Sequence, residues 1–122
     1  MSKIKIRPSD KLFSQWIRLR DRKCKRCHSE VRFNGAGMPV SHECSHFMGR
    51  GKEATRHEPL NCDTLCYGCH AYFTAHPAHH LEWQIQQKGQ EMVDALILQS
   101  NGYKKRNDKA EAAIWREKIK EL

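Results

Sequence analysis

The sequence predicts a small α+β fold stapled by a bound metal and flanked by helices. Three observations carry that prediction. Two CxxC pairs occur, Cys24-Lys25-Arg26-Cys27 and Cys66-Tyr67-Gly68-Cys69; short apolar stretches between them are broken by an Asn34-Gly35 turn; and apolar residues recur at helical spacing on either side. A chain of 122 residues reads as one domain, 1–122, able to bury about two-thirds of its unfolded surface and small enough for a metal to matter to its stability.

The elements follow in order. Ser9 caps a helix over residues 10–22, with Leu12, Phe13, Trp16 and Ile17 on one face, Arg20 at its edge, and Trp16 in the core. Residues 31–33 and 38–44 are expected to be short strands joined across Asn34-Gly35-Ala36-Gly37. Residues 47–60 have no clean period and read as a loop that carries Arg50, Lys52 and Arg56 to the surface. A strand is expected near residues 61–65 and a helix over 67–75. Pro77 opens another helix that stops at Gly89. Met92, Val93, Leu96 and Ile97 mark a stripe ending near Asn101-Gly102, and Ala112, Trp115, Ile119 and Leu122 mark a last helix from Asn107 or Asp108. The domain thus divides into a basic N-terminal helix (1–23), a zinc-clamped core (24–76) and C-terminal helices (77–122).

Net charge is +8, and residues 1–27 hold Lys3, Lys5, Arg7, Lys11, Arg18, Arg20, Arg22, Lys23, Lys25 and Arg26 against Asp10 and Asp21. Such a field favours a polyanion, with nucleic acid the leading partner. A solvated basic face is the plainer alternative. No apolar run reaches the roughly 18 residues that span a bilayer, and MSKIKIRPSDK lacks the apolar core of a signal peptide. The expected location is the cytoplasm, with no membrane partner. There, six cysteines read as metal ligands or buried thiols rather than disulfides. Two CxxCH motifs also suit c-type haem, but without an export route or well-separated axial methionines haem is set aside.

Structural zinc needs four soft or borderline ligands in a tetrahedron, and each CxxC turn supplies two thiolates. Cys24, Cys27, Cys66 and Cys69 are the expected ligands. Cys44 and Cys62 stand singly and read as small buried side chains, either able to replace a ligand. The residues between the two pairs form an insert clamped at its base. In it, "SHECSHFMGRGKEATRHEPLNCDTLCYGCH" sets out His46, Asn61 and His70 in order.

That order, with "NCDTLCYGCH", resembles the HNH, or ββα-metal, nucleases, and its spacing resembles the colicin-type DNases. More narrowly, "HFMGRGKEATRHEPLNCDTLCYGCHAYFTAHP" is similar to the phage NinG (Rap) recombination nucleases, and the likeness runs more weakly over most of residues 13–122. The resemblance implies an HNH core that hydrolyses DNA with a divalent metal, Mg²⁺ or Mn²⁺. His46, neutral near pH 7, suits the general base, although an isolated strand histidine is more often merely hydrogen-bonded. By resemblance, Asn61 holds the hairpin loop and so orients His46, and His70 ligates the catalytic metal. Glu43 falls where the phage proteins tend to have Asp, and His76 where they have Asn, so both are candidate further ligands. Thr74 stands where the colicin type has a metal-binding His and is a weak substitute; His42 is a second alternative ligand. Ser45 departs from the Asp or His common before the base, which leaves the ligand set open. Arg50 and Arg56 match basic positions of the phage family and, with Lys52, Arg18 and Arg22, are the expected DNA contacts.

The expected function is therefore a metal-dependent DNA endonuclease of phage or prophage origin, active in host cytoplasm on branched recombination intermediates such as a Holliday junction or D-loop. The alternative is a non-catalytic, zinc-stabilised DNA-binding module. A homodimer suits a two-strand cut, but the C-terminal apolar stripes suit an internal core equally.

Overall fold

In the computed structural model, which describes residues 4–122, the chain is a small α+β fold. Its elements are α1 (Pro8–Asp21), β1 (Glu43–His46), β2 (Cys62–Leu65), α2 (Tyr67–Ala75), α3 (Pro77–Lys88), α4 (Gln90–Ser100) and α5 (Asp108–Lys120). The two strands pair antiparallel, with Glu43 opposite Leu65 and His46 opposite Cys62. Strand β2 and helix α2 fall close to the strand expected near 61–65 and the helix expected over 67–75. No helix among the described residues is long and apolar enough to cross a membrane.

Helix α1 begins earlier than expected, and Ser9 is not its cap. Pro8 takes the first turn, where its missing N–H costs nothing, and the Arg7 N–H donates to Asp10 Oδ2 at 2.7 Å. Ser9 is buried and turns its hydroxyl to Asp108 Oδ1 at the start of α5. The strands expected at 31–33 and 38–44 reduce to a single bridge, Phe33 with Pro39. Pro39 has no N–H to continue a ladder, and Asn34 Oδ1 accepts from the N–H groups of Ala36 and Met38, closing the turn onto itself. The strand begins at Glu43 instead and finds its partner in β2.

The C-terminal helices begin and end near their predicted places. Pro77 opens α3 and Gly89, at φ 87°, ends it. Asn107 caps α5 by accepting from the Ala110 N–H. Trp115 on α5 enters one core with Phe13, Ile17 and Cys62, with its ring 4.7 Å from that of Phe13. The other face of the sheet holds a second cluster of Cys24, Leu65, Cys69 and Phe73. Ile119 is half-buried and Leu122 exposed, so the last stripe covers the core only over its first two turns.

Residues 47–61 connect the strands through two 3₁₀ turns, Glu53–Thr55 and Pro59–Asn61. Arg56 does not reach the surface: it is 2% exposed. Its guanidinium donates to Asp10 Oδ1 and Oδ2 at 2.9 and 2.6 Å, to Glu53 Oε2 at 3.2 Å, and to the carbonyls of Arg50 and Lys5. All five guanidinium N–H groups are thereby satisfied, and a surface phosphate contact is replaced by an internal clamp. His57 Nε2 completes the set on Asp10 at 2.9 Å.

Burial alone pushes the Asp10 carboxyl upward, but the hydrogen bonds from Arg56, His57 and the Arg7 N–H outweigh it and hold the group well below the usual carboxylate range. A depressed folded value means that the stability Asp10 adds is present above the unfolded value and lost as pH falls. Asp10→Asn should cost about 3–5 kcal/mol by leaving the Arg56 charge buried without its partner. Urea unfolding at neutral pH checks the loss, and the same measurement repeated at falling pH should give a flatter profile for the variant than for the wild type.

Candidate functional site

The four cysteines of the two CxxC pairs converge, their sulfurs lying within 4.8 Å of one another. Cys27 and Cys66 Sγ are 3.7 Å apart, close to the roughly 3.8 Å between thiolates that share a tetrahedral ion at 2.3 Å bond lengths. Backbone N–H groups already aim at two of the sulfurs, Cys27 N–H at Cys24 and Cys69 N–H at Cys66, each at 3.4 Å. The first knuckle is closed by His28 at φ 67° and hangs on β2 through Lys25 N–H to the Thr64 carbonyl at 2.8 Å. His28 therefore has a structural place in the turn.

The thiols differ in acidity. Hydrogen bonds from Ser29 pull Cys27 down to about 6, while burial pushes Cys69 up to about 12. A dication with four thiolates carries two net negative charges, and Arg26 Nη1 stands 3.5 Å from Cys69 Sγ to offset them. The donor set fits a structural metal such as zinc.

One residue beyond Cys69, His70 leaves the first turn of α2 and meets β1. Its Nδ1 lies 2.9 Å from Glu43 Oε1. Because the carboxylate can only accept, Nδ1 carries the proton and Nε2 keeps a free lone pair. Glu43 thus orients His70, in the manner of carboxylates behind ligating histidines, and the two form a pair rather than a full ligand set.

His46 ends β1 on the face towards α1. Its Nε2 lies 2.8 Å from the Arg56 carbonyl, so Nε2 carries the hydrogen and Nδ1 is the available acceptor. Burial is the main reason its basicity falls to about 4, with nearby Arg50 adding to the effect and the Arg56 carbonyl opposing it. The ring is neutral across the physiological range.

Asn61, fully buried, closes the loop that follows His46. Its Oδ1 accepts from Met48 N–H at 2.8 Å, and its Nδ2 donates to the carbonyls of Met48 and Thr55 at 2.9 and 3.2 Å. It ties both ends of the segment carrying the Arg56 carbonyl, and so acts on His46 through the backbone.

These side chains share a cleft of about 430 Å³ lined by His46, His70, Glu43, Arg18 and Arg50, with Cys44, His42 and Asp10. A second groove of about 420 Å³, walled by Phe47, Phe73, His80 and Leu81, begins on the other side of the same two histidines. His46 and His70 therefore stand on the ridge between a charged cleft and an apolar one. Arg18, partly buried, donates to the Ser14 and Ser41 carbonyls and holds its charge at the rim. Arg50 Nε is buried without an acceptor.

Several expected site residues lie elsewhere, and His42, though it lines the cleft, has its ring engaged. His76 is stacked on Tyr72 at 4.4 Å and on His79 at 5.3 Å, with Nδ1 bonded to the Tyr72 carbonyl. It is absent from the cleft because the helix ends there and turns the ring back along α2. Thr74 Oγ1 donates to the His70 carbonyl. His42, at φ 66°, precedes the strand rather than sharing its regular face, and its ring is bonded to Ser29 and Ser41. Arg22 lies over the Phe33 ring, 4.3 Å from its centroid. Lys52 points to Asn101 on another flank. Arg56 supplies its backbone, not its charge.

His80 was not singled out in the sequence. It packs on Phe73 at 4.6 Å and lines the apolar groove, and nothing in "AHPAHH" separates it from His79. Compared with protein-family models, curated proteins and solved structures, the chain matches none.

Two measurements test this geometry. Cys66→Ser should lower the zinc retained by the purified protein and its melting temperature together, read by atomic emission and circular dichroism; unchanged zinc content would remove Cys66 from the ligand set. In an NMR titration, the His46 ring should change protonation near pH 4, whereas an unperturbed histidine does so near pH 6.5.

Proposed function

We propose that the protein is a metal-dependent DNA endonuclease of the HNH class, of phage or prophage origin, acting on branched recombination intermediates. The observation that carries this reading is the placing of His46. A neutral imidazole, tautomer held by the Arg56 carbonyl, faces a cleft shared with His70, Glu43 and two arginines. Phosphodiester hydrolysis needs a base for water, a cation for the leaving oxygen and charge for the phosphate.

Each requirement has a residue. His46 Nδ1 takes the proton of the attacking water. His70 Nε2 is the free nitrogen that would hold a hard dication, Mg²⁺ or Mn²⁺, which when bound would supply charge for the leaving oxygen. Arg18 and Arg50 meet the phosphate, and the surplus of positive charge on residues 1–27 draws DNA to the surface. The four-cysteine site takes zinc and holds the knuckles that aim His70. Cleavage leaves a 5′-phosphate and a 3′-hydroxyl. A cleft between a sheet edge and α2 favours recognition by DNA shape and backbone.

A second reading has its own support. Ser45 stands where many HNH enzymes have a metal ligand, and Glu43 with His70 is only a pair. On that reading the protein is a zinc-stabilised DNA-binding module without catalysis.

The two separate in one experiment. Wild type and His46→Ala are incubated with four-way junction, flap and linear DNA, with and without Mg²⁺ or Mn²⁺. The nuclease reading expects metal-dependent cleavage that falls by about 10²–10⁴-fold in the variant while salt-sensitive binding is retained. Equal cleavage by both proteins would remove His46 as base. Binding without cleavage under every metal condition would establish the module.

A further inference from the structure

Cys44 and Cys62 belong to neither the four-cysteine site nor the reaction proposed above, yet they are not scattered. The β1–β2 register sets His46 directly opposite Cys62, and Cys44 lies two residues before His46 on the same strand. Side chains of alternate residues share a face, as do those of opposed residues. All three therefore project to the α1 side of the sheet. There one ligand atom from each lies within 4.8 Å of the other two.

We propose that Cys44, Cys62 and His46 form a second metal site, for one soft or borderline cation of the zinc class. Two thiols and an imidazole without a carboxylate are a donor set for zinc or cadmium and a poor one for Mg²⁺. On binding, each thiol gives up its proton to solvent and each sulfur donates a lone pair to the ion. Two thiolates, a neutral ring and a dication sum to zero charge. A neutral complex suits walls made by Phe13, Ile17 and Trp115.

The register also discriminates between a metal and a disulfide. Cys44 is directly opposite Thr64, not Cys62, so the two cysteines are diagonal neighbours, a separation of about 7–8 Å along the backbone. A disulfide usually has its Cα atoms about 4.4–6.8 Å apart, whereas an ion bridges two sulfurs that lie within 4.8 Å of one another. Entry is from the cleft, which Cys44 and His46 line. That side leaves the fourth position to water. His46 Nε2 is engaged by the Arg56 carbonyl, so Nδ1 is the ligating nitrogen. A cation there takes the lone pair that would accept a proton from water. Resting on the nuclease reading, the site is an off-switch: zinc beyond the structural equivalent stops cleavage.

The test uses the intact protein without DNA, so it stands apart from any question of catalysis. Protein loaded with two equivalents of ¹¹³Cd²⁺ should give two resonances, one at the strongly deshielded position of four-sulfur coordination and one upfield in the range of mixed sulfur and nitrogen ligands. Cys44→Ser and Cys62→Ser should each lose or shift the second and keep the first, which also reports that the variant is folded. A single four-sulfur resonance in the wild type with excess cadmium would overturn the proposal, as would a second resonance unmoved in both variants. Absence of the second resonance from the wild type overturns the proposal even where a variant does not fold.

Discussion

The buried pair of Arg56 and Asp10 is the contact on which the rest of the molecule depends. It joins the first turn of α1 to the middle of the loop between the strands, segments that no backbone ladder connects. Two charges taken out of water are costly unless every donor and acceptor is met. Here they are: the guanidinium has five acceptors, and the carboxylate accepts from Arg56, His57 and the Arg7 N–H. The consequence reaches the cleft through the backbone. With its side chain anchored, Arg56 presents its carbonyl to His46 and determines which ring nitrogen holds the hydrogen.

Much of the arrangement was legible in the sequence, and for definite reasons. CxxC pairs are local turns, so Cys24, Cys27, Cys66 and Cys69 carry their geometry with them, and two such turns complete a four-ligand set. Pro77, Gly89 and Asn107 are likewise local signals that hold wherever the chain goes. What was not legible depended on distant partners. Nothing near Arg56 in the sequence indicates that Asp10 waits for it, so a loop arginine looked like a surface charge. The hairpin expected around Asn34-Gly35 failed for the same reason: its turn forms, but β1 pairs better with β2 than with residues 31–33. His76 was placed by position in a pattern, and the ring stack with Tyr72 and His79 carries it away.

The two histidines reach the cleft by different routes. His70 is held by covalent proximity: Cys69, its neighbour, is one of four converging thiols, and Glu43 receives its Nδ1 hydrogen. His46 is held by packing and by the loop that Asn61 closes. One side of the cleft therefore depends on a knuckle of cysteines able to hold a metal and the other on buried hydrogen bonds. Rigidity on both sides matters because a catalytic or binding geometry tolerates only small displacements.

Burial would suit His46 to either of the two proposed chemistries. Removing the ring from water keeps it neutral, which is what a base requires before it meets its proton. A neutral imidazole is equally what a soft metal requires, and Cys44 and Cys62 share its face of the sheet. The same desolvation that prepares the nitrogen for water thus prepares it for zinc. Which of the two it meets is then a matter of what occupies the cleft, since a proton acceptor and a metal ligand draw on one lone pair. Cys44 and Cys62, packed in the core beside the ring, would turn that competition from a general property of histidine into a property of this site.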